Sequence, residues 1–237
     1  VADGIAYAVQ NGANIINMSL GRTCPDGQPR CAPMLESAIN DAVAKGVFVV
    51  IAGGNEGEDP AHPVSTPAEI ASRVPGAVSV AAVDRRTVGA VGTGCRPTAG
   101  EPDLCHAYYS STGSWIELAA PGGSERNNFG RDGFVYQQTF DFNVVDTYDP
   151  TIVAPQNYTA PRFDMFRAVG YIGTSMAAPH VTGVAAMMMQ QGIRKPADIE
   201  ALMEKYAIDL GAPGRDEFFG FGMIDALAVL RGMGAAR

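Results

Sequence analysis

The sequence predicts an α/β fold, a mainly parallel β-sheet flanked by helices on both faces. Three observations lead there. Residues 47–52, and 77–83 apart from Ser79, are apolar at successive positions and contain several β-branched side chains, the pattern of strands covered on both sides. The segments around them carry apolar residues at helical spacing. Helix and strand signals alternate through the first half, the order of a parallel sheet built with crossover helices. The 237 residues suit one large domain or a piece of one, and no linker or repeat divides residues 1–237.

Residues 2–11 read as a helix, with Ala2, Ile5 and Val9 on one stripe and a break at Gly12. No Ser, Thr, Asp or Asn precedes Val1 as a cap. The chain is therefore expected to begin inside a helix, as a fragment or cleaved chain. Residues 14–18 read as a buried strand and 34–45 as a helix stopped by Gly46. Strands at 47–52 and 77–83 follow. Residues 84–107 are turn-rich, and 108–112 and 115–119 read as short strands. Residues 122–167 are polar and aromatic without periodicity, too long for an ordinary connector, and are expected to form a surface insertion. Residues 174–190 are apolar nearly all round, the mark of a buried central helix. Pro179 is placed in its first turns, where a missing N–H costs least. Helices at 195–206 and 223–230 complete the chain.

Composition excludes several function classes. Net charge is -8, which argues against nucleic acid and anionic membranes as partners. No apolar run approaches the roughly 18 residues of a membrane span. Cys24, Cys31, Cys95 and Cys105 fall in two sequential pairs around Pro/Gly-rich loops. Bridges Cys24–Cys31 and Cys95–Cys105 are favoured, implying an oxidising compartment. Free structural thiols and a zinc site are the alternatives, the latter without any C-x-x-C knuckle.

The chemistry concentrates at Gly173-Thr174-Ser175-Met176-Ala177-Ala178-Pro179-His180-Val181. A Ser stands at the start of a buried helix, after a Gly. Unpaired N–H groups and the positive end of the helix dipole would stabilise an oxyanion there. The bland reading is an ordinary Ser cap. Likewise, Gly53-Gly54-Asn55-Glu56-Gly57 taken alone reads as a turn.

In company, these segments resemble the subtilisin family of serine peptidases. GTSMAAPHVTGVAA is similar to its nucleophile signature. Four further segments follow the family's order: Ile15 to Gly21, Val49 to Gly57, Trp115 to Gly122 and Phe219 to Ala226. The resemblance implies that Ser175 attacks the scissile carbonyl and that Asn55 donates to the oxyanion. It implies that Ser19, Leu20 and Gly21 pair with an extended peptide, and that Gly53, Gly54 and Thr174 belong to the substrate-binding residues. Protein or peptide substrates and a secreted or cell-envelope location follow. Glu56 near the pocket points to basic side chains, but family pockets are often broad and apolar. The expectation is low selectivity with a preference for large apolar residues.

The family orders its triad Asp, His, Ser. The Asp and His segments would precede Val1, so the missing N-terminal segment, or a propeptide, is the expected partner. His180 lies five residues after Ser175, rotated about 140° around the helix, and cannot be the base. His62 and His106 read as surface residues. No cofactor is expected for the chemistry. Structural calcium stays open, but this segment does not support it: 123–133 mixes two Arg with few carboxylates. Glu117 matches a weak cation position in relatives, or else is a solvated strand residue. The alternative function is a non-catalytic binding or scaffold module of the same fold.

Overall fold

The computed structural model describes residues 1–24, 29–57, 64–85, 96–97, 104–124, 133–141 and 162–234. Its elements are α1 (Ala2–Gln10), β1 (Ile15–Met18), β2 (Arg22–Thr23), α2 (Pro33–Ala44), β3 (Phe48–Ala52), β4 (Ser65–Thr66), α3 (Ala68–Ala71) and β5 (Ala77–Arg85). Then come β6 (Arg96–Pro97), β7 (Leu104–His106), β8 (Leu118–Pro121), β9 (Val135–Asp141), β10 (Arg162–Tyr171), α4 (Thr174–Gln190), α5 (Pro196–Lys205) and α6 (Ala226–Gly232).

The main sheet runs β1-β3-β5-β7-β6, with β8 also pairing β5. β1, β3, β5 and β8 are parallel, and β7 and β6 are antiparallel additions. The uninterrupted apolar run of β3 follows from its position. Phe48, Val50 and Ala52 join one core with α4, whereas Val49 and Ile51 join the core beneath α2 and α3. Successive strand residues point to opposite faces, and both faces are covered. Burying each such side chain contributes roughly 1.5–3 kcal/mol. α4 crosses β1, β3, β5 and β8, so its N-terminus sits above the sheet near the ends of several strands.

Several sequence expectations need correction. Residues 108–112 form a turn followed by irregular backbone rather than a strand. The strand expected at 115–119 begins only at Leu118. β9 lies within the 122–167 stretch and pairs antiparallel with β10, which begins there and runs on to Tyr171, so that Tyr136 stands opposite Gly170 and Val135 opposite Tyr171. Val-Tyr-Gln-Gln-Thr does not alternate apolar and polar residues, so it is weak strand signal beside a long polar insertion. α4 is not buried all round: Val181, Val184 and Met188 are inside, but Met187 faces out. Pro179, the sixth helical residue, does fall in the first turns, but past the four N–H groups that have no partner in the helix, so its missing N–H leaves a carbonyl to be satisfied. The Cys24–Cys31 bridge is present. Cys95 lies outside the described residues, as does most of 123–133.

Glu117 is buried, not solvated: its carboxylate accepts from the Ser79 N–H at 3.2 Å. Glu200 of α5 accepts from the Gly76 N–H. Burial, then the Glu200 charge, pushes Glu117 up to about 8; burial likewise pushes Glu200 up to about 7. Arg215 opposes the shift of Glu117, and Glu204 adds like charge to both. In the unfolded chain both would release protons near their ordinary value of 4.5. The folded state therefore binds more protons, and its stability is full below that value and lost as pH rises through about 7 to 8. The melting temperature should fall between pH 5 and pH 8.5, and Glu117→Gln should flatten the slope. A melting temperature that rises over that interval would contradict this assignment.

Candidate active site

Gly173 precedes α4 at φ 143°, a backbone region open to glycine, and this conformation lets the chain turn sharply from β10 into the helix. The turn is pinned from outside. The Gly173 N–H donates to the Gly122 carbonyl at 3.0 Å and to the Tyr109 hydroxyl at 3.0 Å. Tyr109 in turn donates to the Gly123 carbonyl at 2.7 Å. Gly122 and Gly123, directly after β8, thus fix where α4 begins.

Thr174 and Asn55 form the next layer. The Asn55 Oδ1 accepts from the Thr174 backbone N–H at 2.9 Å and from its hydroxyl at 2.9 Å. The same hydroxyl accepts from the Gly54 N–H at 3.2 Å. With Oδ1 occupied, the Asn55 amide presents its Nδ2 donors outward, on the Gly173 side of the turn. The Ser175 N–H, in the first helical turn, is used by no hydrogen bond of the described residues. Two donors therefore stand free at the helix N-terminus, where the dipole is positive.

Pro179 has no N–H, so the Ser175 carbonyl lacks its partner four residues on. The Ser19 hydroxyl takes that role, donating to it at 2.8 Å. Ser19 accepts from Asn17 Nδ2 at 2.9 Å, and Asn17 Oδ1 accepts from Thr182 at 3.0 Å. This chain of bonds ties the end of β1 to α4. The Ser175 hydroxyl itself meets only the Ser19 carbonyl, at 3.5 Å, among the described residues.

Two cavities meet at Ser175. One, of about 60 Å³, is lined by Gly21, Gly54, Asn55, Glu56, Ser65 and Thr174 among others. The other, of about 460 Å³, is lined by Asn17, Ser19, Met176, His180 and residues of β9. Leu20 is 42% exposed at the rim of the smaller one. Of the residues singled out in the sequence, Ser175, Asn55, Ser19, Leu20, Gly21, Gly54 and Thr174 come together here. Gly53 is not among the residues that line this cavity, and a Cβ there would lie 2.9 Å from Ile116 and from the Val80 carbonyl.

His106 is fully buried, with Phe218 and Phe219 edge-on at 5.3 and 5.6 Å, contrary to the surface position expected. β7 carries it into the sheet beside β5, which a His next to a Cys in a turn-rich stretch does not announce. His180 binds the Met176 carbonyl of its own helix through Nδ1 at 2.8 Å. His62 lies outside the described residues. Sequence reasoning missed Tyr109, Ser65 and Ser111, which touch this site only through tertiary contacts.

Known proteins share this sequence pattern and fold. The family model described as the subtilase family, Peptidase S8, matches residues 1–222. Minor extracellular protease Epr of Bacillus subtilis is 29% identical over 93% of this chain and 25% of its own length. Fervidolysin of Fervidobacterium pennivorans is 30% identical over 98% of this chain and 27% of its own. Among solved structures, a protease of Pseudoalteromonas arctica superposes with TM-score 0.67 at 30% identity, covering 98% of this chain and 57% of that one. A lanthipeptide protease gives 0.66 at 26% identity, over 98% and 65%. The chain spans 25% of the length of Epr and 61% of the shorter curated relatives. With the family model matched over almost its whole length, this chain belongs to the subtilase family of serine proteases.

Proposed function

We propose that this chain is the nucleophile-bearing part of a secreted serine endopeptidase, hydrolysing peptide bonds through an acyl-enzyme on Ser175. The observation that carries the reading is the pair of free donors, Asn55 Nδ2 and the Ser175 N–H, beside the hydroxyl of Ser175. An unassisted hydroxyl is a weak nucleophile, and its acceptor here is a carbonyl 3.5 Å away, which cannot take a proton. The base is a histidine, oriented by an aspartate, both upstream of Val1. The 460 Å³ cavity beside Ser175 is large enough to hold an imidazole.

The steps follow from these positions. An extended substrate lies along Ser19, Leu20 and Gly21 as an added strand. The Ser175 oxygen attacks the scissile carbonyl carbon while the histidine takes its proton. The carbonyl oxygen becomes an oxyanion and accepts from Asn55 and from the Ser175 N–H. Collapse breaks the C–N bond, and the proton passes to the departing amine. Water then repeats the attack and frees the acid. No cofactor or metal enters these steps. The extracellular character that Epr carries in its name supports a secreted location, as does the Cys24–Cys31 bridge.

The 237-residue chain alone should show no peptide hydrolysis above background in a fluorogenic casein assay; robust turnover would overturn the assignment of the base. In the protein extended upstream, Ser175→Ala should abolish turnover, and unchanged turnover would exclude Ser175 as nucleophile. Asn55→Ala should lower kcat about 100- to 1,000-fold with KM little changed, the range measured on removing the oxyanion-hole asparagine of subtilisin, itself a member of this family. Thr174→Val should cost roughly 3- to 10-fold in kcat by releasing one of the two bonds on Asn55 Oδ1. A KM effect alone would place Thr174 in substrate binding rather than in orienting Asn55.

A further inference from the structure

The two free donors beside the Ser175 hydroxyl sit on different segments. Asn55 belongs to the loop after β3, and the Ser175 N–H to the start of α4. Two donors stabilise one oxyanion well only if the distance between them is held. One residue touches both segments. The Tyr109 carbonyl accepts from the Gly57 N–H at 2.8 Å, two residues after Asn55. The Tyr109 hydroxyl accepts from the Gly173 N–H at 3.0 Å, two residues before Ser175, and donates to the Gly123 carbonyl at 2.7 Å. Ser111 reinforces the first contact. Its N–H donates to the Gly54 carbonyl at 3.0 Å, and its hydroxyl accepts from the Glu56 N–H at 3.1 Å.

The surroundings aim the hydroxyl. Tyr109 is 8% exposed and packs in the core that β3, β5 and α4 share. Tyr108 meets it edge-on, with ring centroids 5.2 Å apart. A tyrosine side chain turns about only two bonds, so a packed ring on a fixed backbone leaves its hydroxyl one place to reach. Gly122 keeps that place open: a Cβ there would lie 2.7 Å from the Tyr109 hydroxyl and 3.0 Å from the Gly173 carbonyl. A Cβ on Gly173, in turn, would lie 3.6 Å from Asn55 Nδ2 and 3.6 Å from the Ser175 nitrogen. Tyr109 therefore grips, through its N–H, the residue whose Cα borders both donors. Tyr109 itself lines neither cavity at Ser175.

We infer that Tyr109 is a positioning residue of the reaction, acting through Gly57 on one side and Gly173 on the other to set the spacing of the two oxyanion donors. The inference rests on the peptidase reading and adds to it a residue that touches no reacting atom.

The test is a double-mutant cycle in the upstream-extended protein, with turnover of a fluorogenic peptide amide measured for the parent, Tyr109→Phe, Asn55→Ala and the double variant. Phenylalanine keeps the ring and its packing and removes only the hydroxyl. Tyr109→Phe should lower kcat about 3- to 10-fold, the effect of one hydrogen bond, with KM changed less than about twofold. In the Asn55→Ala background one donor remains and there is no spacing to hold, so the same change should cost about twofold or less. A purely structural role would lower kcat by the same factor in both backgrounds. That additive result, an unchanged kcat, or an effect on KM alone overturns the inference and leaves the peptidase reading standing. Absence of turnover in the parent overturns both.

Discussion

Proline at position 179 leaves the Ser175 carbonyl without a partner in its own helix, and the answer to that vacancy organises the site. The Ser19 hydroxyl fills it from the end of β1. The bond fixes how far the strand edge proposed to receive a peptide lies from Ser175, the proposed nucleophile. Asn17 and Thr182 extend the tie, so a missing N–H in α4 becomes a crosslink between α4 and the sheet. The bond is exposed, so water can replace the Ser19 hydroxyl at little cost in stability, and what the bond supplies is position.

The second constraint acts from the opposite side. Gly173, Thr174 and Asn55 join the loop after β3 to the start of α4. Because Thr174 saturates the Asn55 carbonyl oxygen, the amide has one orientation, with its donors outward. This is preorganisation in a specific sense: the donors do not have to find their direction when charge develops. The sheet makes this possible. β3 and β5 are covered on both faces, which holds the end of β3, where the chain leaves toward Asn55, in place between two cores.

Some of this can be read directly from residues. β3 announces itself as five apolar residues because its alternate side chains serve two cores at once. α4 and its Ser are equally plain, since a run with almost no polar face has to be covered. Features set by long-range contacts are not readable. Nothing near His106 in sequence predicts that two phenylalanines over one hundred residues later enclose it. Glu117 reads as a solvated strand residue until the folded chain is seen to bury it. Pro179 reads as a tolerated early-helix residue, and only the contact with Ser19 reveals what its missing N–H does. The β9–β10 ribbon gives little signal because a two-stranded ribbon needs little hydrophobic alternation to pair.

The central claim is that Ser175 is a nucleophile whose base arrives from a segment before Val1. Covalent labelling by a fluorophosphonate, read by intact mass and peptide mapping, tests it most directly, because the reagent needs an activated hydroxyl but no peptide specificity. The account predicts a single adduct on Ser175 in the upstream-extended protein, and labelling at least about a thousandfold slower in the 237-residue chain, where the base is absent. Equal rates in the two proteins, or an adduct on any other residue, would contradict it.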